Sequence, residues 1–448
     1  MTARRPTVAL SSWGDLFEDF YDTIGVTLED FRDDLTGGWL FGYVDALRTQ
    51  DLDSVLVFVS ARVRTTTRFV HGPTGARVVL LPQPRRHRVL RSVRERLRSR
   101  GRRQFKVLGS LASYLSVPLV GFQRELRRER VVAHLSQDYE HARFDLFVLL
   151  GRLAGRPVFA SFQGGVIPFS RIERVMRPRA IRACAGLVIG AGVEHCRVRD
   201  AYGVDARRIA NIPNALDVDA YATDDRSAAR LRLGISPTTR VVGWHGRVVI
   251  HRKGLDVLLD AWELVCVQRP DVDLLLLLVG TGTDAADLHL RIAGMSAGKV
   301  RWRDEYISDR TELGPYLAAA DIYALSSRHE GFPVAPIEAM ASGLPIVACD
   351  APGVSDILEN GEDSGGILVP CEDVDALARG LGRLVDDPEL SRELGRRARQ
   401  RVEERYSLRA VGEALRSFLV PAASRPDARS GPDVSAGGST GGGAGWRG

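Results

Sequence analysis

Two doubly wound α/β domains facing each other across a cleft, with a disordered C-terminal tail, are the fold that three features of the sequence predict. The 448 residues exceed what one hydrophobic core sustains, since single cores stop growing near ~250–300 residues. Short, wholly apolar runs alternate with helical patterns, which is the mark of a parallel sheet covered on both faces. The alternation breaks at IANIPNALD and then restarts.

In the first half TVALSSW reads as the opening strand, followed by a long acidic loop. TGGWLFGYVDAL reads as a glycine-rich turn feeding a helix, and SVLVFVS, ARVVLL, VVAHLSQ, PVFASFQ and GLVIG as strands. HARFDLFVLLGRLAG and residues 171–185 carry helical spacing. In the second half the strands are RVVGWHG, DLLLLLVG, IYALSS, PIVACD and GILV. Helices are expected over residues 255–266, 285–293, 309–320, 336–341 and 374–385. The expected domains are residues 1–213 and residues 214–405. Residues 406–421 form a helix returning to the first domain, and residues 422–448, rich in Gly, Ser and Pro, form a disordered tail. Ligands of open α/β sheets bind at the carboxyl ends of the strands.

Composition excludes several classes. The 44% hydrophobic and 26% charged content is that of a globular protein. No stretch offers the ~20 apolar residues of a membrane span. Five scattered cysteines without a C-x2-C pair point to a reducing, cytoplasmic setting and away from disulfides or zinc. The net charge of +6 is unevenly placed: residues 85–106 hold ten Arg, one Lys and a single acid, Glu95. No recognition module or interleaved aromatic accompanies these cations, so nucleic acid is not the expected partner. An anionic membrane surface met through residues 85–130 is, giving peripheral attachment at the inner face of the cell membrane; a solvated basic face is the alternative.

The densest chemistry lies in Glu330-Gly-Phe-Pro-Val-Ala-Pro-Ile-Glu338, directly after IYALSS. A continuous helix would set the two glutamates about 80° apart, but Gly331, Pro333 and Pro336 argue against one. Glu330 is therefore expected in the loop and Glu338 in the first turn of the helix. The freed amides at that helix start suit a phosphate. One carboxylate can face a sugar while the other accepts two hydrogen bonds from ribose hydroxyls. Gly331, Phe332, Pro333 and Val334, leading into the helix, are candidate donor contacts. Trp244-His-Gly246-Arg247 and His251-Arg252-Lys253-Gly254 place two cations, Arg247 and Lys253, where a diphosphate leaving group would be neutralised, with Arg252 as deputy.

Gly280-Thr-Gly282-Thr-Asp-Ala285 fits the dinucleotide fingerprint, with Asp304 downstream, and carries the alternative of an NAD-dependent oxidoreductase. The competing reading of these glycines is close approach of chain to chain. In the first half Gly37 and Gly38 let backbone approach the donor, and Gln163 follows the strand PVFASF. Asp138, Tyr139 and Glu140 follow VVAHLSQ and could face an acceptor.

The segment from Glu330 to Glu338, with AMASGLPIVACDAPGVSDIL and GGILVP after it, resembles glycosyltransferase family 4, whose fold is GT-B and whose mechanism is retaining. That resemblance implies two Rossmann-like domains and a sugar moved from a nucleotide-diphosphate sugar to a hydroxyl acceptor, lipid-linked or a polysaccharide precursor. It implies that Glu330 contacts the transferred sugar, Glu338 the ribose, and Gly246-Arg247 with Lys253 the diphosphate. Gly280 corresponds to the family's Val-Gly-x-Gly turn, and Gly37-Gly38 to its Gly-Gly loop. Asn214 and Asp217 match its hinge. Many members carry a histidine where this chain has Gln163, which can hydrogen-bond a sugar hydroxyl but cannot titrate. No metal or other cofactor is expected, because cations and amides hold the leaving group and the donor's own phosphate assists the hydroxyl. A non-catalytic nucleotide-sugar-binding protein is the remaining alternative.

Overall fold

The computed structural model describes residues 5–420 apart from 13, 23–24, 37, 99–104, 164–169, 222–224 and 308–309. Gly37 and the expected tail therefore lie outside the described residues. The first sheet is built from β1 (Thr7–Ser11), β2 (Asp53–Ser60), β3 (Thr67–Val70), β4 (Arg77–Pro82), β5 (Val131–Gln137), β6 (Val158–Ser161), β7 (Gly186–Val188) and β8 (Ile209–Ala210), in the order β3-β4-β2-β1-β5-β6-β7-β8. The second contains β9 (Arg240–His245), β10 (Leu274–Val279), β11 (Lys299–Arg303), β12 (Ile322–Leu325), β13 (Ile346–Cys349) and β14 (Gly366–Val369), ordered β11-β10-β9-β12-β13-β14. Every pairing is parallel except β3 on β4.

The apolar runs read as strands are strands, because helices cover both faces and leave no polar side. All six residues of β10 are buried. Three strands escaped the sequence reading, β3, β8 and β11, and all three are edges. β3 exposes three of its four residues and packs through Phe69. β11 (KVRWR) carries its cations outward and turns Trp302 back to donate to the Gly280 carbonyl at 2.8 Å.

The expected acidic loop instead contains two short helices, Glu18–Tyr21 and Leu28–Asp33, the second closed by a Thr27–Asp30 capping box. Phe17, Tyr21 and Phe31 drive this, stacking edge and face around Phe58 of β2. The basic region folds into the helices Arg85–Arg98, Phe105–Leu115 and Leu119–Arg128.

Two long helices end the described chain. Pro388–Arg405 lies on the second sheet, and Leu408–Leu419, capped by Ser407, crosses back onto the helix Gly38–Arg48. Gly412 sits at that crossing, where a Cβ would overlap the Ala46 carbonyl. Val411, Leu415 and Leu419 join the first sheet's core, each burial contributing roughly 1.5–3 kcal/mol. The crossover is tied at Leu216, which donates to the Tyr406 carbonyl (2.8 Å) and accepts from the Leu408 amide (3.1 Å).

Candidate active site

The second sheet presents its functional groups at the carboxyl ends of β9 and β12. The chain leaves β9 through Gly246, makes a single turn at Ile250–Lys253 and restarts as the helix Leu255–Val267 at Gly254. Gly254 has φ +61° and touches the Ser326 carbonyl so closely that a Cβ could not be accommodated. This contact carries Lys253 to the end of β12, where its Nζ lies 2.6 Å from Glu330 Oε1. Ser327 Oγ donates to the same oxygen at 2.7 Å. The Glu330 carboxylate is thus buried (6% exposed) with a cation and a hydroxyl on it.

Glu338 lies in the first turn of the helix Ala335–Ala341, and Glu330 in the loop before it, as the sequence led us to expect. Both Glu338 oxygens are held: Tyr221 Oη donates to Oε1 at 2.7 Å, and His245 Nε2 meets Oε2 at 2.9 Å. His245 Nδ1 is sealed from solvent and makes no hydrogen bond. Tyr221 and His245 were not assigned from sequence. His245 could have been, since it stands directly before Gly246-Arg247; Tyr221 carries no local signal.

Arg247 is exposed, and its guanidinium makes no hydrogen bond or ion pair among the described residues. Its charge and that of Glu338 both reach the Tyr306 hydroxyl. Gly280 (φ +131°) and Gly282 are explained by packing: a Cβ on either would overlap the carbonyls of Gly246 or Val248. They are close-approach glycines that set the Arg247 loop, which removes the motif supporting a nicotinamide enzyme. The Gly331 carbonyl is likewise packed against Gly353. The Phe332 ring lies on Gly190 of the first half and near Tyr406, while Pro333 is buried and Val334 caps the helix and packs into the core.

Facing these groups, a cavity of about 320 Å³ is lined by Gly38, Asp138, Gln163 and, from the second half, Tyr306. Gly38 opens its helix at φ +71°. Gln163 forms a reciprocal amide pair with Asn214, both bonds 3.0 Å, and donates its backbone N–H to Asp138 Oδ1 at 3.4 Å. Asp138 adopts φ +58°, a left-handed conformation uncommon for a non-glycine residue. Burial, reinforced by Glu140 and Glu194, pushes its carboxyl up to about 7. Tyr139 and Glu140, by contrast, are buried and turned into a network with Glu194, Arg197 and Tyr202.

The raised Asp138 value has a thermodynamic sign. Between the unfolded carboxyl's value, 3.8, and about 7, the folded state keeps a proton that the unfolded state has lost. Stability therefore falls as pH rises through that window, by about 1.4 kcal/mol per unit and about 4 kcal/mol at most. Asp138→Asn should remove this loss. Melting curves at pH 5 and pH 8 should separate wild type from variant at the higher pH; parallel pH dependences would show that Asp138 ionises normally.

Residues 239–387 match the family model described as glycosyl transferases group 1. The GDP-mannose-dependent monoacylated α-(1-6)-phosphatidylinositol monomannoside mannosyltransferase of Corynebacterium glutamicum is 33% identical over 220 residues, 47% of this chain and 55% of the relative. The lipopolysaccharide core mannosyltransferase LpsB of Rhizobium meliloti is 31% identical over 166 residues, 36% of this chain and 46% of the relative. The chain thus spans about half the length of these curated relatives. Among solved structures, Anabaena HepE in complex with UDP superposes with a TM-score of 0.62 at 18% identity, covering 92% of this chain and 98% of that one. A glycosyltransferase from Rickettsia africae gives 0.63 at 13% identity, covering 94% and 100%. At those identities the likeness is one of fold. With two facing parallel sheets and the matched domain in the second, the chain has the GT-B fold of these neighbours, and its second half is similar to the group 1 glycosyl transferases.

Proposed function

We propose that this protein moves a hexose from a nucleotide-diphosphate sugar to a hydroxyl acceptor, with retention of anomeric configuration and without a metal. The observation that carries the reading is the Lys253–Glu330 ion pair at the carboxyl edge of the second sheet, the edge at which the loop leaving β9 exposes Arg247. Glu330 takes the sugar's hydroxyls, while Lys253 and Arg247 neutralise the diphosphate as it leaves, a form of preorganised stabilisation worth a factor of roughly 10²–10³ per group. Glu338 takes the ribose. Asp138 and Gln163 lie across the cleft, on the acceptor side. Tested by thermal melting, UDP, GDP or ADP should stabilise the protein by about 2.7 kcal/mol at 100 Kd, while NAD(H) should not. Stabilisation by NAD(H) alone would overturn the reading. Nucleotide binding without turnover of any sugar donor would leave the non-catalytic alternative.

The ribose assignment predicts that Glu338→Ala weakens binding of the nucleoside diphosphate by roughly 1.5–3 kcal/mol, because two ribose hydroxyls lose a charged acceptor. Tyr221 and His245 must release Glu338, wholly or in part, for it to serve the ribose. A variant binding as tightly as wild type would remove Glu338 from that role.

The acceptor is proposed to be met at an anionic membrane surface. Among the described residues no helix is long and apolar enough to cross a membrane. The helix Arg85–Arg98 nevertheless exposes Val89 and Val93 among its arginines, and Leu119 and Val120 are exposed at the start of Leu119–Arg128. Arg91 is spent on Asp19, but Arg85, Arg86 and Arg88 make no ion pair with a carboxylate among the described residues. Each basic side chain near such a surface contributes about 1 kcal/mol, screened within ~8–10 Å at ordinary salt. Sedimentation should show binding to anionic vesicles that falls steeply between low and high salt; equal pelleting with neutral vesicles, or none with either, rejects the surface.

A further inference from the structure

A cavity of about 750 Å³ lies at the opposite edge of the second sheet from the candidate active site. It opens at the amino ends of β9, β12 and β13, beside Arg240, Asp321 and Pro345. Five arginines line it: Arg226, Arg230, Arg240, Arg392 and Arg399. Three of them converge on one carboxylate, Asp321, with Arg230 Nη2 at 2.8 Å, Arg240 Nη1 at 3.3 Å and Arg226 in direct contact. Arg399 has its own partner, Glu403, at 2.7 Å, and among the described residues Arg392 bonds only to the Pro388 carbonyl at 3.2 Å. Five cations thus share two carboxylates.

Not all five are available. Arg230 is buried, donating to the Ala319 and Pro237 carbonyls, and Arg399 braces the carbonyls of Val218 and Ala341, so both are structural. Arg226 and Arg392 are exposed, and Arg240 half-buried; these can turn toward an occupant. Part of the Arg226 side chain is covered where its guanidinium meets Asp321, and that burial, followed by the crowding of Arg230 and Arg240, works against its charge. A multiply charged anion would relieve that repulsion. We propose that this cavity is a second binding site, separate from the nucleotide site, for a small phosphorylated compound carrying at least two negative charges. Its place in the fold makes it more than a sink for ions: Tyr221, one of its lining residues, donates to Glu338, and Ala341 at its rim ends the helix that carries Glu338.

Inorganic pyrophosphate is the probe, titrated by calorimetry into the full chain. The variant pair Arg247→Ala/Lys253→Ala removes the cations of the active site, so binding that survives there reports on the distal cavity. Binding is expected to persist in that pair. It should weaken at least about tenfold when Arg226→Gln/Arg392→Gln is added, since each charged hydrogen bond is worth roughly a factor of ten. Arg392→Gln alone keeps every partner of Asp321 and should weaken binding about fivefold or more, so a folding defect in the double change would not decide the matter. Arg226→Gln/Arg392→Gln in an otherwise wild-type chain should still bind the nucleoside diphosphate, which keeps this test apart from that of the active site. Pyrophosphate binding that vanishes with Arg247 and Lys253, or that ignores the loss of Arg226 and Arg392, overturns the proposal.

Discussion

Glu330→Gln is expected to lower kcat by roughly 10²–10³-fold while leaving the affinity for a sugar-free nucleoside diphosphate within about twofold of wild type. The carboxylate is buried, receives Lys253 Nζ and Ser327 Oγ on one oxygen, and stands at the end of β12 facing the cleft. Glutamine keeps the shape and one acceptor oxygen but loses the charge, so it fails where charge on the sugar ring grows during transfer. On the proposed assignment the diphosphate is held by other groups, so its binding should be spared. Calorimetry with the diphosphate beside steady-state kinetics with the donor separates the two effects. Loss of diphosphate binding in this variant would mean that Glu330 is not placed beside the sugar.

The second large effect separates two cations that the sequence treats alike. On the proposed assignment both charges act on the leaving diphosphate, so Arg247→Ala and Lys253→Ala should each slow turnover by about 10²–10³-fold. Their effects on stability should differ. Arg247 makes no ion pair among the described residues, so its removal should leave melting within about 0.5 kcal/mol of wild type. Lys253 neutralises a buried carboxylate, and its loss strands Glu330, at a cost of about 3–5 kcal/mol. Adding Glu330→Gln to Lys253→Ala should restore most of that stability without restoring turnover. A double variant no more stable than Lys253→Ala would show that the pair contributes little.

Much of this was legible in the sequence, for physical reasons. Buried parallel strands have no polar face, so β9, β10, β12, β13 and β14 read as uninterrupted apolar runs. The edge strands β3 and β11 alternate charge with apolar residues and carry no such signal. The turn chemistry around Glu330 and Glu338 also read correctly, because glycine and proline dictate where a helix can begin. What the sequence withheld were contacts closed by the fold. The Lys253–Glu330 pair spans 77 positions, and Tyr221 reaches Glu338 across 117. The pairing of Gln163 with Asn214 is of the same kind: a residue read as facing the sugar is tied to one read as part of the hinge.

Proton NMR of a turning-over sample is the sharpest test of transfer with retention. The protein is mixed with UDP-, GDP- and ADP-sugars of α configuration and with simple polyol acceptors, and the anomeric signals are followed in time. One donor is expected to disappear while its nucleoside diphosphate accumulates in equal amount, and the first glycoside to form should have the α configuration. A β product from an α donor would contradict retention, and intact donors beside tight nucleotide binding would contradict transfer itself.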